Sequence, residues 1–531
     1  MPAPNTQSAT PAPAPPPPPL APDTRPLHKK FPRTFWLLNT IEMGERFAYY
    51  ALRTVAPIYI MQADNPGGLH LSAGEKGAIF GIWYLVQSFL PIITGGIADR
   101  FGFKRTLTCA ISVIMLGYIA IAFMRDLGFM SNYAAFLSAI IVLATGTAFF
   151  KPGIQGALAL TLTKETSSVG WSLFYWVVNI GGFLGPIIAT KLLAMGGGTA
   201  ADWRNVFLAA ALVTGLNLIL ATRFKDVPTG ASQTEALHLV LCRTIRNIFE
   251  PRLLCWLALM SGFWMMFVQL WDLQPNTIVD WVDSSPQAAW LQARLPDFLQ
   301  DFFVTQTTRG PQIPQQIIIN LNSLSIIVCV VFAGYLTRRM RTLSAMLIGM
   351  GMIIIGILIA GMTMNLWVLL FGILFFSFGE MTVGPKQNEY LALIAPPGKK
   401  GLYLGYNNIP TGLGGYAGSL LAGHLQGNHG EKAVLALRYI AEKTDFPAIA
   451  AKAWNGDPAT LETTLGIKRT EAMSKLQELT GLDAAAATRL LWDTYSPHIH
   501  IWMPFAIIGA ASAIGLLIFA RMARRWSDMD A

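Results

Sequence analysis

Six polar residues recur along one apolar stretch at a spacing that gathers them: Glu42, Glu45, Arg46, Tyr49, Tyr50 and Arg53. They fall at i, i+3, i+4, i+7, i+8 and i+11, one face of an α-helix. The stretch runs over 35–62, long enough to cross a bilayer of roughly 30 Å. A charge at bilayer depth costs at least about 2.5–3.5 kcal/mol on insertion scales. Glu42, Glu45, Arg46 and Arg53 must therefore face a protein interior or a water-filled path, and the default reading is an ion or substrate pathway. Burial disfavours a charged carboxylate and a nearby guanidinium or ammonium favours it. A basic neighbour that moves can thus put a proton on or take one off.

The elements that position this stripe follow from composition. The chain has 531 residues, 53% hydrophobic and 13% charged, with net charge +9. Soluble domains usually carry about 25% charged residues. The deficit is spread along the chain, which predicts an all-α polytopic membrane protein. The basic residues sit in short clusters between apolar stretches, so the positive balance does not point to nucleic acid. Cys109, Cys242, Cys255 and Cys329 lie outside the long polar loops and give no disulfide framework. Residues 1–34 are Pro/Ala-rich with no apolar core, as expected of a solvated cytoplasmic tail rather than a signal peptide.

About twelve segments are long enough to cross. In the first half they are 35–62, 75–98, 104–124, 132–160, 168–194 and 204–222. In the second they are 252–272, 316–336, 343–363, 366–394, 402–424 and 499–522. Pro57, Pro91, Pro152, Pro186, Pro385 and Pro410 fall inside them. Basic clusters (Lys29–Arg33, Arg100–Arg105, Arg223–Lys225, Arg338–Arg341, Lys399–Lys400, Arg521–Arg525) mark alternate connections. Both termini are therefore expected in the cytoplasm, in a plasma or inner membrane. The expected domains are an N-terminal six-helix bundle (35–222), a cytoplasmic linker (223–250), and a C-terminal bundle (251–524) followed by a short tail (525–531). Two extracytoplasmic loops are long: 273–315, and 425–498, which reads as a helical insert broken near Gly456-Asp457-Pro458. His498 and His500 are expected to be interfacial beside Trp502 rather than metal ligands. Six plus six spans around a basic linker suggest a binding site at mid-membrane between the halves.

Gly96-Ile97-Ala98-Asp99-Arg100-Phe101-Gly102-Phe103-Lys104-Arg105 joins the second and third spans. It resembles the Gly-x-Leu-Ala-Asp-Arg-x-Gly-x-Lys/Arg signature of the major facilitator superfamily. Its glycines allow a tight turn, and Asp99 and Arg100 are gating candidates. Glu42-x-x-Glu45-Arg46-Phe47-x-Tyr49-Tyr50 resembles the first-span motif of the proton-dependent oligopeptide transporter family within that superfamily. Phe150-Lys151-Pro152, Phe174-Tyr175-x-x-Val178-Asn179-x-Gly181, Leu321-Asn322 and Gly379-Glu380 with Pro385 match further motifs of that family, in order, across both halves.

The resemblance implies a twelve-helix major facilitator fold and a proton-coupled symporter of di- and tripeptides working by alternating access. It implies a proton-coupling group of Glu42, Glu45, Arg46 and Lys151. It also implies a peptide site of Tyr49, Tyr50, Arg53, Tyr84, Asn179, Asn322 and Glu380. Arg53 suits the carboxylate because its fork binds bidentately, and Glu380 suits the ammonium. The partners implied are a small peptide, protons and lipid; a monomer is expected, with no cofactor, metal or catalysed reaction. The sequence departs from the family at Ala51, at Ser88, at Val268 in place of a seventh-span acid, and around Tyr406-Asn407-Asn408. Asp272, one turn beyond Val268, either substitutes for that acid or caps the span at the outer surface. Three alternatives stand beside this reading: a proton-coupled carrier of another small anion or peptide-like compound, a receptor that binds a partner through 425–498, and a static ion-pair network that only fixes helix packing.

Overall fold

The computed structural model describes residues 31–163, 166–224, 248–395, 400–444 and 457–523. The Pro-rich stretch, nearly all of the linker and the C-terminal tail lie outside these residues. The tail expected over 1–34 is shorter at its inner end. Phe31 is buried and stacks on Phe35 at 4.3 Å, and the first helix starts at Arg33.

Among the described residues ten helices are long and apolar enough to cross a membrane. Two more complete the set. The first span is Arg33–Arg53 continued by Ala56–Met61, and it misses that criterion through its charged stripe. The eleventh is Lys400–Gly405 followed by Asn408–His429, rich in glycine and polar residues. It runs past the limit of 424 expected from the sequence. Pro57, Pro91 and Pro410 lie in the opening turns of Ala56–Met61, Pro91–Phe101 and Asn408–His429. Those are positions where a missing N–H costs little. Pro152, Pro186 and Pro385 sit inside continuous helices. Gly102, at φ +90°, turns the chain between the second span and the third, Phe103–Phe123.

The spans form two halves with separate cores. One gathers Phe35, Tyr118, Phe136 and Phe207; the other gathers Trp256, Phe376, Tyr390 and Trp502. Trp502 is fully buried, so it does not mark an interface as the sequence suggested. His498 stacks on Trp492 at 4.3 Å and His500 on His429 at 5.0 Å.

The halves meet mainly where the second span (Ala73–Phe89) crosses the eleventh. A Cβ placed on Gly77 would lie 2.4 Å from the Ser419 carbonyl oxygen, and one on Gly423 would lie 2.6 Å from that of Ala73. Small residues let the two backbones touch there. At the other end of the molecule, where both ends of the described chain emerge, Cβ atoms on Gly384 and Gly405 would meet nothing within 4 Å. Pro91–Phe101 packs chiefly on its own half and Lys400–Gly405 on Leu366–Ile394, so the halves are closed on one face and splayed on the other.

The closed face carries both long loops. Residues 273–315 form short helices and a hairpin, Thr305–Thr307 against Gly310–Gln312. The insert contributes Lys432–Lys443, Leu461–Leu465, Ala472–Thr480 and Ala484–Tyr495. They share a core with Trp281 of the C-terminal half, whose indole N–H donates to the Gly430 carbonyl at 3.1 Å. The insert therefore docks through an apolar contact and is not a loose loop.

The glycine contact yields a direct expectation. Gly77→Val should wedge the closed face apart. In a background with the native cysteines replaced, a reporter cysteine at Ala422 should react with a water-soluble maleimide several-fold faster in this variant.

Candidate functional site

The first span presents its stripe inward. Glu42, Glu45, Arg46 and Arg53 are all buried. Arg46 Nε donates to Glu45 Oε2 at 2.5 Å and lies 3.4 Å from Glu42 Oε1, and the guanidinium sits 4.8 Å from the centre of the Tyr49 ring. One arginine thus serves two carboxylates. Glu42 Oε2 and Glu45 Oε1 are left buried with no hydrogen-bond partner. Buried polar atoms are nearly always satisfied, and a proton would turn either oxygen into a donor. Lys151, on the fourth span (Asn132–Ala159), is within electrostatic reach of Glu42, Glu45 and Arg46 but makes no ion pair with them.

Across the gap, Asn322 on the eighth span (Leu321–Thr337) donates to Glu380 Oε2 at 2.7 Å and to Ser377 Oγ at 3.0 Å. Glu380 is on the tenth span (Leu366–Ile394) and interacts electrostatically with Tyr50 and Tyr175 of the other half. Tyr175 is 38% exposed, so this part of the cleft is open. Asn179 donates to the Tyr175 carbonyl, one turn back in its own helix, leaving its amide oxygen for other partners. Tyr49 and Tyr50 pack edge to face at 5.3 Å, and the Tyr49 hydroxyl reaches Gln87 at 3.4 Å. Tyr50 is within electrostatic reach of both Arg46 and Glu380, so the two clusters border one central region, the chamber.

Arg53 and Tyr84 lie elsewhere. Arg53 pairs with Asp272 of the seventh span and donates to the Tyr84 hydroxyl at 2.7 Å, with its guanidinium 4.3 Å from the Phe80 ring centre. Ser419 of the eleventh span donates to Asp272 Oδ2 at 2.6 Å. Asp272 is 1% exposed, so it does not cap the span at the surface. The fork that the resemblance offers to a carboxylate cargo is occupied by this acid. In this conformation Arg53 and Tyr84 belong to a seal between the halves.

The sequence reading missed most of that seal. Lys76 is buried and donates to the Asp272 carbonyl and to Asn276 Oδ1, both at 3.0 Å, and to Gln426 Oε1 at 2.5 Å. Asn276 reaches the Pro57 carbonyl at 3.1 Å, and Gln62 reaches Asp280 at 2.7 Å. A lysine inside the apolar second span was the available signal. Its partners are amides from distant segments, which no local pattern marks.

Beyond the seal the insert adds a clamp. Arg469 donates to both Glu431 oxygens at 3.0 and 3.2 Å and to the His70 carbonyl of the N-terminal half at 2.8 Å. The gating candidates sit at the splayed face. Arg100 is exposed, its guanidinium 6.0 Å from the Phe101 ring centre, while the Asp99 side chain lies outside the described residues.

With this geometry in view, the comparisons agree on one class. The family model described as Major Facilitator Superfamily matches residues 41–282 and 295–437. That is most of the chain, which belongs to the major facilitator superfamily. Within it, the chain is similar to the transporter YclF of Bacillus subtilis, with 32% identity over 38% of this chain and 40% of that one. It is similar to dipeptide and tripeptide permease A of Proteus mirabilis, with 26% identity over 48% of this chain and 47% of that one. The matches span less than half the length of these relatives. Among solved structures, peptide transporter POT in complex with sulfate shares the fold at TM-score 0.61, with 17% identity over 94% of this chain and 96% of that one. The nucleoside transporter NupG shares it at TM-score 0.60 and 12% identity, so the fold by itself does not choose a cargo.

Two expectations follow. Asp272→Asn leaves Arg53 buried without its counter-charge, a change that costs about 3–5 kcal/mol at a buried pair. Cysteine labelling on the closed face should rise, and the exchange Arg53→Asp with Asp272→Arg should lower it part of the way back. The second concerns pH. Burial pushes Glu431 from 4.5 up to about 7 against the opposing pull of Arg469, with Asp280 adding to the rise and Lys76 opposing it. Asp280 is raised in the same sense, chiefly by burial. A raised carboxylate supports the docked insert fully when protonated, and that support is lost as pH rises through about 7. Amide-exchange protection of 432–443 should fall between about pH 5 and about pH 8, and Glu431→Gln should flatten the change.

Proposed function

We propose that this protein is a proton-coupled symporter that takes up small peptides by alternating access, here seen open toward the cytoplasm. The observation that carries the reading is the chamber: two carboxylates with unpartnered oxygens around Arg46 on one half, facing Glu380 held by Asn322 on the other. A zwitterionic peptide needs an anion for its ammonium and a cation for its carboxylate. Glu380 offers the first. Lys151, not ion-paired, and Arg53, once freed from Asp272, offer the second. Peptide names among the relatives support the cargo class.

Both termini lie in the cytoplasm and the insert faces outside, in accord with the basic clusters on the splayed side. The membrane is the plasma or inner membrane, and the carrier works as a monomer without a cofactor. Glu42, Glu45, Arg46 and Lys151 carry the proton step. Tyr49, Tyr50, Asn179, Asn322 and Glu380 bind the peptide. Arg53 and Tyr84 alternate between seal and cargo, and Asp99 with Arg100 latches the cytoplasmic side. Movement of Arg46 or Lys151 toward or away from a Glu would take a proton off that carboxylate or leave it to gain one. Transporters of this kind catalyse no covalent reaction.

Departures at Val268 and Tyr406-Asn407-Asn408 favour a second reading, a carrier of another small peptide-like anion. Proteoliposomes separate the two. An inward proton gradient should stimulate uptake of alanyl peptides at least tenfold. Glu45→Gln should abolish that stimulation while leaving peptide exchange across the membrane. Gradient-driven uptake only of a non-peptide anion would overturn the peptide assignment.

A further inference from the structure

The insert does more than cover the closed face. Where it meets both halves, it leaves a cavity of about 190 Å³. One wall is Gln62 and Asp64 of the N-terminal half. A second is Asp280 and Arg309 of the C-terminal half, and a third is Lys432 with Arg469 and the insert helices. Taking roughly 30 Å³ per water, the space is that of an amino acid or a very small peptide. It lies outside the Arg53–Asp272 seal and is separate from the central chamber.

Its lining charges balance in number, Arg309, Lys432 and Arg469 against Asp64, Asp280 and Glu431, but they are unevenly paired. Lys432 is 6% exposed, and its one hydrogen bond is from its backbone N–H to Asp280 Oδ2 at 3.2 Å. Among the described residues its ammonium makes no hydrogen bond or ion pair. It is the first residue of Lys432–Lys443, where the positive end of the helix dipole already disfavours a cation. Arg309 faces it, held by the Val279 and Val282 carbonyls at 2.5 and 3.2 Å and by no carboxylate. Asp280, the nearest acid, also accepts from Gln62. Glu431 is taken by Arg469. Two cations and a helix N-terminus therefore converge near Asp280 and Asp64, and among the described residues neither cation forms an ion pair, which a ligand carboxylate would supply. Asp64, exposed at the rim, stands where an ammonium would emerge.

We infer that this cavity is a second ligand site, taking the carboxylate of a small amino-acid or dipeptide zwitterion at Lys432 and Arg309. All three walls come together only while the outer face is shut. An occupant therefore favours the inward-open state by its differential affinity for that state. The site rests on the cavity and does not require that the central chamber carry peptides.

Binding of radiolabelled alanylalanine to the full-length protein in nanodiscs tests it. Wild type should bind at two sites. Lys432→Gln should remove one or weaken it at least tenfold, Lys432→Arg should retain it, and Glu380→Gln should remove only the other. Alaninamide, which lacks the carboxylate, should not compete at the Lys432-dependent site. If central peptide binding is absent, a single site sensitive to Lys432→Gln remains and the inference stands. Binding that Lys432→Gln leaves unchanged, in a variant with wild-type thermal stability, would overturn it.

Discussion

Everything in this molecule turns on where charges sit once they are taken out of water. Arg53, Lys76 and Asp272 are buried at one end of the helical bundle, and each finds a partner across the boundary between the halves. An isolated charge there would cost several kcal/mol; a paired one is tolerated. The seal is therefore conditional. It holds while the halves touch, and when they part each of these groups needs water or cargo. That conditionality makes two arrangements of one sequence close in energy.

The chamber obeys the same rule with the opposite outcome. Arg46 stays within its own helix and satisfies Glu42 and Glu45 incompletely, leaving an oxygen of each without a donor. The seal leaves Arg53 Nη1 unpartnered, whereas the Arg46 cluster leaves an oxygen on each of its carboxylates. A site that must load and unload has to keep unspent bonding capacity. Glu380 differs again: its one hydrogen bond comes from Asn322, and no cation of the described residues pairs with it. Attraction between an ammonium there and a carboxylate on the N-terminal half would draw the splayed side together.

Local pattern made the spans and the first-span stripe legible. A 3.6-residue period and bilayer length are properties of single segments, and Glu42, Glu45, Arg46 and Arg53 lie on one. The division of labour among them was not legible. That Arg53 belongs to the seal and Arg46 to the proton group depends on which distant side chain fills each fork, and Asp272 is 219 residues from Arg53. Lys76 was invisible for the same reason: Asn276 and Gln426 are ordinary amides until the fold brings them to it. Helix limits erred at proline and glycine, where a break depends on packing as well as propensity. The eleventh span continued to His429 because its glycines face the second span, where close contact offsets their poor helix propensity.

The insert enters the same balance. Opening the outer face requires parting Arg53 from Asp272, and also parting Arg469, anchored on Glu431, from the His70 carbonyl. Moving a two-state equilibrium from 1:99 to 99:1 takes about 5.5 kcal/mol of differential stabilisation. A clamp outside the membrane raises what proton and cargo together must supply. It also places part of that cost in two carboxylates outside the membrane, Glu431 and Asp280, whose burial already favours the protonated form. Acid outside would then strengthen the clamp while protons load the chamber from the same side. The two effects oppose each other, so the outer face must be governed by which carboxylate takes its proton first. The seal stands between Glu42 and Glu45 and the insert's side of the molecule, whereas Glu431 lies at the cavity beneath the insert. On the proposed function, this ordering would make the insert a brake on a carrier whose driving ion acts at both places.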